Sequence, residues 1–450
     1  STMEPPPLSF DSSKSVGEST SSDTPSPSLF PFRTNPQLSA PIRVNCQAST
    51  KIRDQQILKA ALLVCPDVFP TVKNQEEDIT VTPLTGGLSN MLFVVSSSSK
   101  QEEGQERKQV LVRVHFDDDE NDKKDPSSAA HSALFVDREQ ELIALCHLSQ
   151  KGLAPKFYGC FENGRIEEFY PNVQPLSCAE MKLEPYLRSI AKSMGRLHCE
   201  DVPMKRQIDG GAECWNKISD WFDIAKKMLQ KKKDVCDAIL ADSNFVDNML
   251  TEWTWVKKEL ESAPKPSMEP VGIKSTAAEF AREVVFTHMD LQSLNILKNE
   301  DSSNTPTDQN TEEAVRVIDF EYAGYNPRAV DIANTFMEFC DMNNLKADYT
   351  EYASIHEQNT FLTHYVMTAD PSLVESLKNE QNWETFLHSL REEVGKHTLV
   401  SHLGWAVWAV VQSMVSPIDF DFVAYAVQRM EGYRYFKERY WKGCANGQST

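Results

Sequence analysis

The sequence is short of the features that mark several protein classes. No stretch reaches the roughly 18 consecutive apolar residues expected of a membrane span, so membrane insertion is not expected. The N-terminal end has no basic region followed by an apolar run and is too acidic and Arg-poor for a transit peptide. A leader is therefore not expected, and the expected compartment is the cytoplasm. The ten cysteines contain no CxxC pair, which argues against a structural zinc site and for reduced, buried thiols. Positive charge is in deficit: Lys plus Arg is 46, Asp plus Glu is 66, and the net charge is −20. Such a balance speaks against non-specific binding to nucleic acid or an anionic membrane. Internal repeats are absent.

What remains is ordinary globular material, with 40% apolar and 25% charged residues over 450 positions. That length allows about three domains, and a two-lobed enzyme fits it equally well. Residues 1–50 hold 12 Ser, 5 Thr and 8 Pro, a composition expected of a disordered tail. Helical spacing begins at Ile52, with Ile57, Leu58, Ala61 and Leu62 on the same face. Residues 79–116 read as three antiparallel strands, separated by a polar loop at 96–109. A charged loop, 117–132, precedes a helix that ends at Gly152. Two short strands follow around the turn at 162–165. The fold class expected is α+β. A small five-stranded antiparallel N-terminal lobe (51–171) precedes a larger, mostly helical C-terminal lobe (172–445).

Two segments in the second lobe carry chemistry. In the run from His288 to Asn295, Asp290 and Asn295 stand five apart on a loop between apolar runs. Asp319 ends the apolar strand VRVID, beyond another polar hairpin loop at 298–314. Flanking strands would bring the three together. Oxygen ligands of this kind suit magnesium shared with substrate phosphates, and the remaining Asp can accept a hydroxyl proton. In the first lobe, the turn containing Gly86, Gly87, Ser89 and Asn90 lets backbone amides approach phosphate oxygens. Arg113 alternates inward on the third strand, where pairing with Glu141 of the next helix would hold the α- and β-phosphates. Glu168 and Tyr170 lie at the lobe junction, where adenine would sit.

These motifs resemble the choline/ethanolamine kinase family, within the kinase-like aminoglycoside-phosphotransferase fold. The resemblance rests on LTGGLSNMLF (84–93), THMDLQSLNIL (287–297), VIDFEYAGYN (317–326), DIANTFMEF (331–339), SHLGWAVWAVVQ (401–412) and IDFDFVAYA (418–426), and it covers roughly residues 52–440. It implies that Asp290 is the catalytic base. Asn295 and Asp319 would bind Mg2+, and Gln292 would lie near the phosphates of the co-substrate ATP. It makes Arg113 and Glu141 an ion pair. It places the substrate amine among Tyr322, Glu338, Trp405, Trp408 and Tyr425. Independently, Trp405 and Trp408 are three apart and share a helical face, and aromatic faces attract cations. The resemblance also admits a homodimer, as choline kinases of this family often dimerise.

Which amine is bound turns on a few positions. Choline presents methyl groups, whereas ethanolamine presents three N–H donors that need acceptors. Asn343 stands where choline kinases carry a pocket tyrosine, and Phe422 also replaces a tyrosine of that pattern. Gln292 matches the choline-kinase motif instead. The reading favours ethanolamine, with a dual-specificity or choline-preferring kinase as the alternative. An aminoglycoside kinase would share Asp290, Asn295 and Asp319 without needing the paired tryptophans. A dead scaffold is disfavoured because the catalytic residues are all present.

Overall fold

The computed structural model of this protein describes residues 39–69, 79–84, 90–97, 108–115, 136–205, 211–231, 244–261, 273–299, 314–416 and 418–442. Gly86, Gly87 and Ser89, the loop 117–132, and most of the loops 96–109 and 298–314 lie outside them. The first lobe runs β1 (Ser39–Ala40), α1 (Thr50–Val64), β2 (Ile79–Leu84), β3 (Asn90–Ser97), β4 (Gln109–His115), α2 (Arg138–Gln150), β5 (Phe157–Phe161) and β6 (Gly164–Glu168). Its strands lie in the order β1-β5-β6-β4-β3-β2. Strands β2 to β6 pair antiparallel, as their alternating patterns predict. On α1 the buried face is Ile57, Ala60, Ala61 and Val64, while Ile52 is exposed. Asp137 caps α2 by accepting the N–H groups of Glu139 and Gln140, and Gly152 follows the helix at φ +71°.

The expectation of a tail through residue 50 is corrected at its end. Ser39 and Ala40 add a sixth strand, parallel to β5, with Ser39 opposite Cys160. Ala40, Ile42 and Val44 are buried against the sheet and α1. The Asn163 side chain accepts the Val44 N–H and donates to the Val44 carbonyl, each at 2.9 Å. The physical cause is a period-2 apolar pattern at 40, 42 and 44, masked when composition is averaged over fifty residues.

The second lobe continues β7 (Val173–Pro175), α3 (Cys178–Met181), α4 (Glu184–His198), α5 (Glu213–Lys231), α6 (Phe245–Glu261), α7 (Ile273–Arg282), β8 (Val284–Thr287), β9 (Ile296–Asn299), β10 (Arg316–Val317), β11 (Gly324–Pro327), α8 (Arg328–Glu338), α9 (Ile355–Ala369), α10 (Pro371–Ser376), α11 (Glu380–Val415) and α12 (Phe422–Lys437). Every residue of α8 is buried, and α11 packs against α5, α7, α8 and α12. Helix α11 is by length and composition apolar enough to cross a membrane, yet 78% of its apolar window is buried inside the fold. Its second half, from His397 to Gln412, is almost wholly buried because its neighbours surround it. The small strand pairs fix the chemistry. Thr287 of β8 lies opposite Gly324 of β11, and Ile296 of β9 lies opposite Val317 of β10. The loops 288–295 and 318–323 are thereby clamped side by side.

Among the described residues, the imidazoles of His198, His288, His397 and His402 are buried, and that of His115 is largely so. Burial lowers each of them, His397 to about 4 and His115 to about 3. The native state keeps them neutral, so the unfolded chain binds more protons below the ordinary histidine value. Stability is therefore expected to fall as pH drops below ~6.5, by up to about 1.4 kcal/mol per pH unit for each buried ring. Chemical denaturation at pH 7.5 and 5.5 measures this, and equal unfolding free energies would refute it.

Candidate active site

The loop after β8 is held from below by one carboxylate. Asp331, fully buried on α8, accepts the backbone N–H of His288 at 2.8 Å and of Met289 at 2.7 Å. It also accepts from the His198 ring at 3.0 Å, and the other ring nitrogen of His198 takes the Tyr365 hydroxyl at 2.7 Å. Asn334, one turn along α8, donates to the Met289 carbonyl at 3.0 Å. Met289 is thereby fixed at φ +67°, a conformation that a non-glycine side chain seldom adopts. The ring of His288 accepts the Asp290 N–H and donates to the Ile318 carbonyl, which ties the two catalytic loops together.

Asp290 follows at the mouth of this loop. Its Oδ2 accepts from Gln292 Nε2 at 3.2 Å and from Asn295 Nδ2 at 3.0 Å. Burial, then the negative charges of Glu338 and Asp319, push its carboxyl well above the usual range, and the Gln292 hydrogen bond opposes them. Asn295 Nδ2 also donates to the Asp290 carbonyl at 2.8 Å. Its Oδ1 takes no hydrogen bond among the described residues. Asp319, at φ +68°, has a buried Oδ1 without a hydrogen-bond partner. Its carboxylate, that of Glu321 and that of Glu141 present oxygens within 4.8 Å of one another. Burial, then Asp319 and Glu141, raises the Glu321 carboxyl to about 7. Crowded carboxylates around an unpartnered oxygen suit a divalent cation.

The expected pairing of Arg113 with Glu141 is not the one formed. Arg113 Nη2 reaches Glu167 Oε1 at 3.2 Å and its Nη1 reaches Asp319 Oδ2 at 3.5 Å. Glu141 is taken by Arg165 at 2.6 Å and Arg138 at 2.8 Å, and Arg138 also meets Glu321 at 3.3 Å. The sheet register is the cause: Arg165 on β6 lies directly opposite Arg113 on β4. The two facing guanidinium groups share Glu167, and Glu141 is left to Arg165 and Arg138. Burial alone would raise the Glu141 carboxyl, but Arg165 and Arg138 outweigh it and hold it low.

The other nucleotide-side residues sit as follows. Asn90 opens β3, buried, with its side-chain oxygen 2.7 Å from the His115 ring. The Glu168 carboxylate accepts the Lys156 N–H at 3.0 Å, and the Arg316 guanidinium lies 4.9 Å over the Tyr170 ring. Both residues line a 530 Å³ cleft along the junction with Lys156, Asn299 and Arg316. Asp290, Asn295 and Asp319 do not line it.

On the amine side the rings do converge. Tyr322 meets Trp405 edge-on at 5.3 Å, Trp405 meets Trp408 at 5.3 Å, and the Trp408 N–H donates to the Tyr322 hydroxyl at 3.1 Å. Phe422 packs against Trp408 at 5.7 Å. Tyr322 and Trp405 border a cavity of about 40 Å³ with Met289, Asn334 and Lys217. The Lys217 ammonium stands 5.6 Å over the Tyr322 ring. The Tyr425 hydroxyl accepts from Arg429 at 2.6 and 2.9 Å, and Arg429 lies 3.8 Å from Glu338. Burial raises the Glu338 carboxyl to about 7 against the opposing pull of Arg429.

Asn343 corrects the pocket reading. It is exposed, and its Nδ2 donates to Gln292 Oε1 at 2.8 Å. Its amide addresses the catalytic loop, and Gln292 in turn addresses Asp290. The sequence reading also missed Asp331, Glu321, Arg165, Glu167, Arg429 and Lys217. The first two sit inside quoted motifs, DIANTF and IDFEY, and an acid in such a motif was a usable signal. The other four carried none, because a charged residue inside an apolar pattern does not name its partner.

A family model described as Choline/ethanolamine kinase matches residues 81–434. A protein of Arabidopsis thaliana described as "Probable choline kinase 2" is 30% identical over 365 residues, covering 80% of this chain and 86% of its own length. Human "Ethanolamine kinase 2" is also 30% identical, over 383 residues, covering 84% of this chain and 80% of its own. The crystal structure of choline kinase from Cryptosporidium parvum Iowa II superposes with a TM-score of 0.62 at 23% identity, covering 87% of this chain and 97% of that one. The fold likeness agrees with the two-lobed, kinase-like α+β architecture described above.

Asp331→Asn keeps the side-chain volume but removes the charge that three donors share. The expected cost is about 2–4 kcal/mol of stability together with a fall in turnover, because buried donors lose their acceptor. Thermal melting and steady-state rates check it, and an unshifted melting curve would refute it.

Proposed function

We propose, from the premise that this chain belongs to the choline/ethanolamine kinase family, that it transfers the γ-phosphoryl group of ATP to the hydroxyl of ethanolamine. The product is phosphoethanolamine, the first intermediate of the CDP-ethanolamine route to phosphatidylethanolamine. As a member of that family the chain is a phosphotransferase with an alcohol as acceptor. The observation that carries the reading is the convergence of Asp290, Asn295 and Asp319 on two loops clamped by paired strands.

Asp290 is the base. It orients the amino-alcohol hydroxyl and accepts its proton, and a carboxyl raised by burial is a better acceptor than a solvated one. Asn295 and Asp319 would hold magnesium with the phosphates, with Glu321 beside them; that ion supplies neutralisation of charge on the transferring group. Arg113 faces the same carboxylates and offers a guanidinium fork to phosphate. The Gly86-Gly87 turn with Ser89 and Asn90 is assigned to the phosphates, and the Glu168 to Tyr170 junction to the nucleotide base. The ammonium is assigned to the Tyr322, Trp405 and Trp408 rings with Tyr425, and Glu338 is its countercharge.

Glu338 favours a primary ammonium. Among the described residues, its carboxylate has Arg429 as its ion-pair partner, at 3.8 Å. A primary ammonium brings N–H donors to such a group, whereas a quaternary one brings none. The three-ring cage supports the second reading, a kinase that also accepts or prefers choline, since aromatic faces bind either cation.

Asp290→Asn is expected to melt within a few degrees of the parent and lose activity by several orders of magnitude. Near-normal turnover would remove Asp290 from the base role. For the parent, kcat/KM should favour ethanolamine at least tenfold, about 1.4 kcal/mol of discrimination. Glu338→Gln should lower that ratio by acting mainly on ethanolamine. A parent that prefers choline would overturn the substrate assignment.

A further inference from the structure

Asn343, Gln292 and Asp290 form one hydrogen-bonded line across the active-site mouth. Asn343 Nδ2 donates to Gln292 Oε1 at 2.8 Å, and Gln292 Nε2 donates to Asp290 Oδ2 at 3.2 Å. An ionised carboxylate only accepts, so the Gln292 amide must turn its N–H toward Asp290. That turns its oxygen outward, where a donor is needed, and Asn343 supplies one. The direction of every bond in the line follows from the base.

The turn that presents Asn343 is itself fixed. It follows α8 through the backbone bonds from Cys340 to Met337 and from Asp341 to Glu338. Gln428 of α12, buried, donates to the Met342 carbonyl at 3.0 Å and accepts the Ala347 N–H at 2.9 Å. The thiol of Cys178 bridges Ser293 of the catalytic loop and Asp341 of the turn. Helix α8 therefore reaches the catalytic loop at two places: Asp331 holds its start, and the turn after its last residue holds Gln292.

We propose that Asn343 is a positioning residue for the phosphoryl-transfer step, locking the Gln292 amide so that it orients the base, and that it does not contact the amine. This rests on Asp290 being the base. A free glutamine side chain has three torsions to lose, and a neighbour that fixes its amide removes that loss from the catalytic cycle.

The test is steady-state kcat and KM for ethanolamine and choline in Asn343→Leu, Asn343→Asp, Gln292→Met and the Asn343→Leu/Gln292→Met double variant. Asn343 is exposed, so these changes leave the core intact. For Asn343→Leu, kcat should fall about fivefold for both amines, with each KM within about twofold. The isosteric Asn343→Asp should fall further. Its carboxylate would draw the Gln292 N–H away from Asp290. In the Gln292→Met background, Asn343→Leu should add almost nothing, because the line is already cut. A changed KM, or a changed ethanolamine-to-choline ratio, would place Asn343 against the amine and overturn the proposal. Independent, multiplicative effects, or unchanged kcat in all variants, would also overturn it. If Asp290→Asn is inactive while the Asn343 variants are silent, the positioning role alone fails. If Asp290→Asn stays active, the base assignment fails first.

Discussion

The site depends on one buried carboxylate. Asp331 stands in the first turn of α8 with no exposure to solvent and gathers three donors from two other elements. An ionised side chain in such a place is tolerated only when each lone pair is used, and here the donors come from the catalytic loop itself. Burial opposes its charge, but the bonds from His198 and the loop win and hold its carboxyl below the usual range. Removing the helix from the loop would strand the charge. Helix, loop and imidazole therefore stand or fall as one unit, and Asp290 inherits its position from the core.

The upper half of the cleft solves a different problem. Glu141, Glu167, Asp319 and Glu321 confront Arg113, Arg138 and Arg165 in a space almost closed to water. Acids outnumber bases, and the surplus collects around Asp319 and Glu321. The partners are shared so that neither of two facing arginines is left alone. Among the described residues, the buried Oδ1 of Asp319 takes no hydrogen bond. A strongly acidic protein thus places three of its arginines together beside the surplus of acids, which net charge does not reveal.

Much of this was legible in the sequence. The spacing of Asp290, Asn295 and Asp319 between apolar runs foretold their meeting, because strand pairing is local and its pattern is written in alternation. The five antiparallel strands were legible for the same reason. The Arg113 partner was not. It depends on register, which sets Arg165 opposite Arg113, and a one-residue slip would have changed it. The hydrogen bond of Asn343 to Gln292 was not legible either, because position in a family pattern says which residue occupies a turn, not where its amide points. Ala40, Ile42 and Val44 were hidden by averaging over a Ser/Thr/Pro-rich stretch.

The short N-terminal strand has one more consequence. A sheet ends in rows of unpaired N–H and C=O groups, and long flat edges recruit strands from other chains. Without Ser39 and Ala40, that edge would be the five-residue β5. With them, β5 is paired at Ser39 and Ala40, followed by buried Ile42 and Val44 that hold the segment down. The opposite edge is β2, which carries Pro83 and so lacks one donor. One end of the sheet is thus covered by a segment anchored through its apolar side chains and the other is interrupted by proline, and each feature works against self-association through the strands.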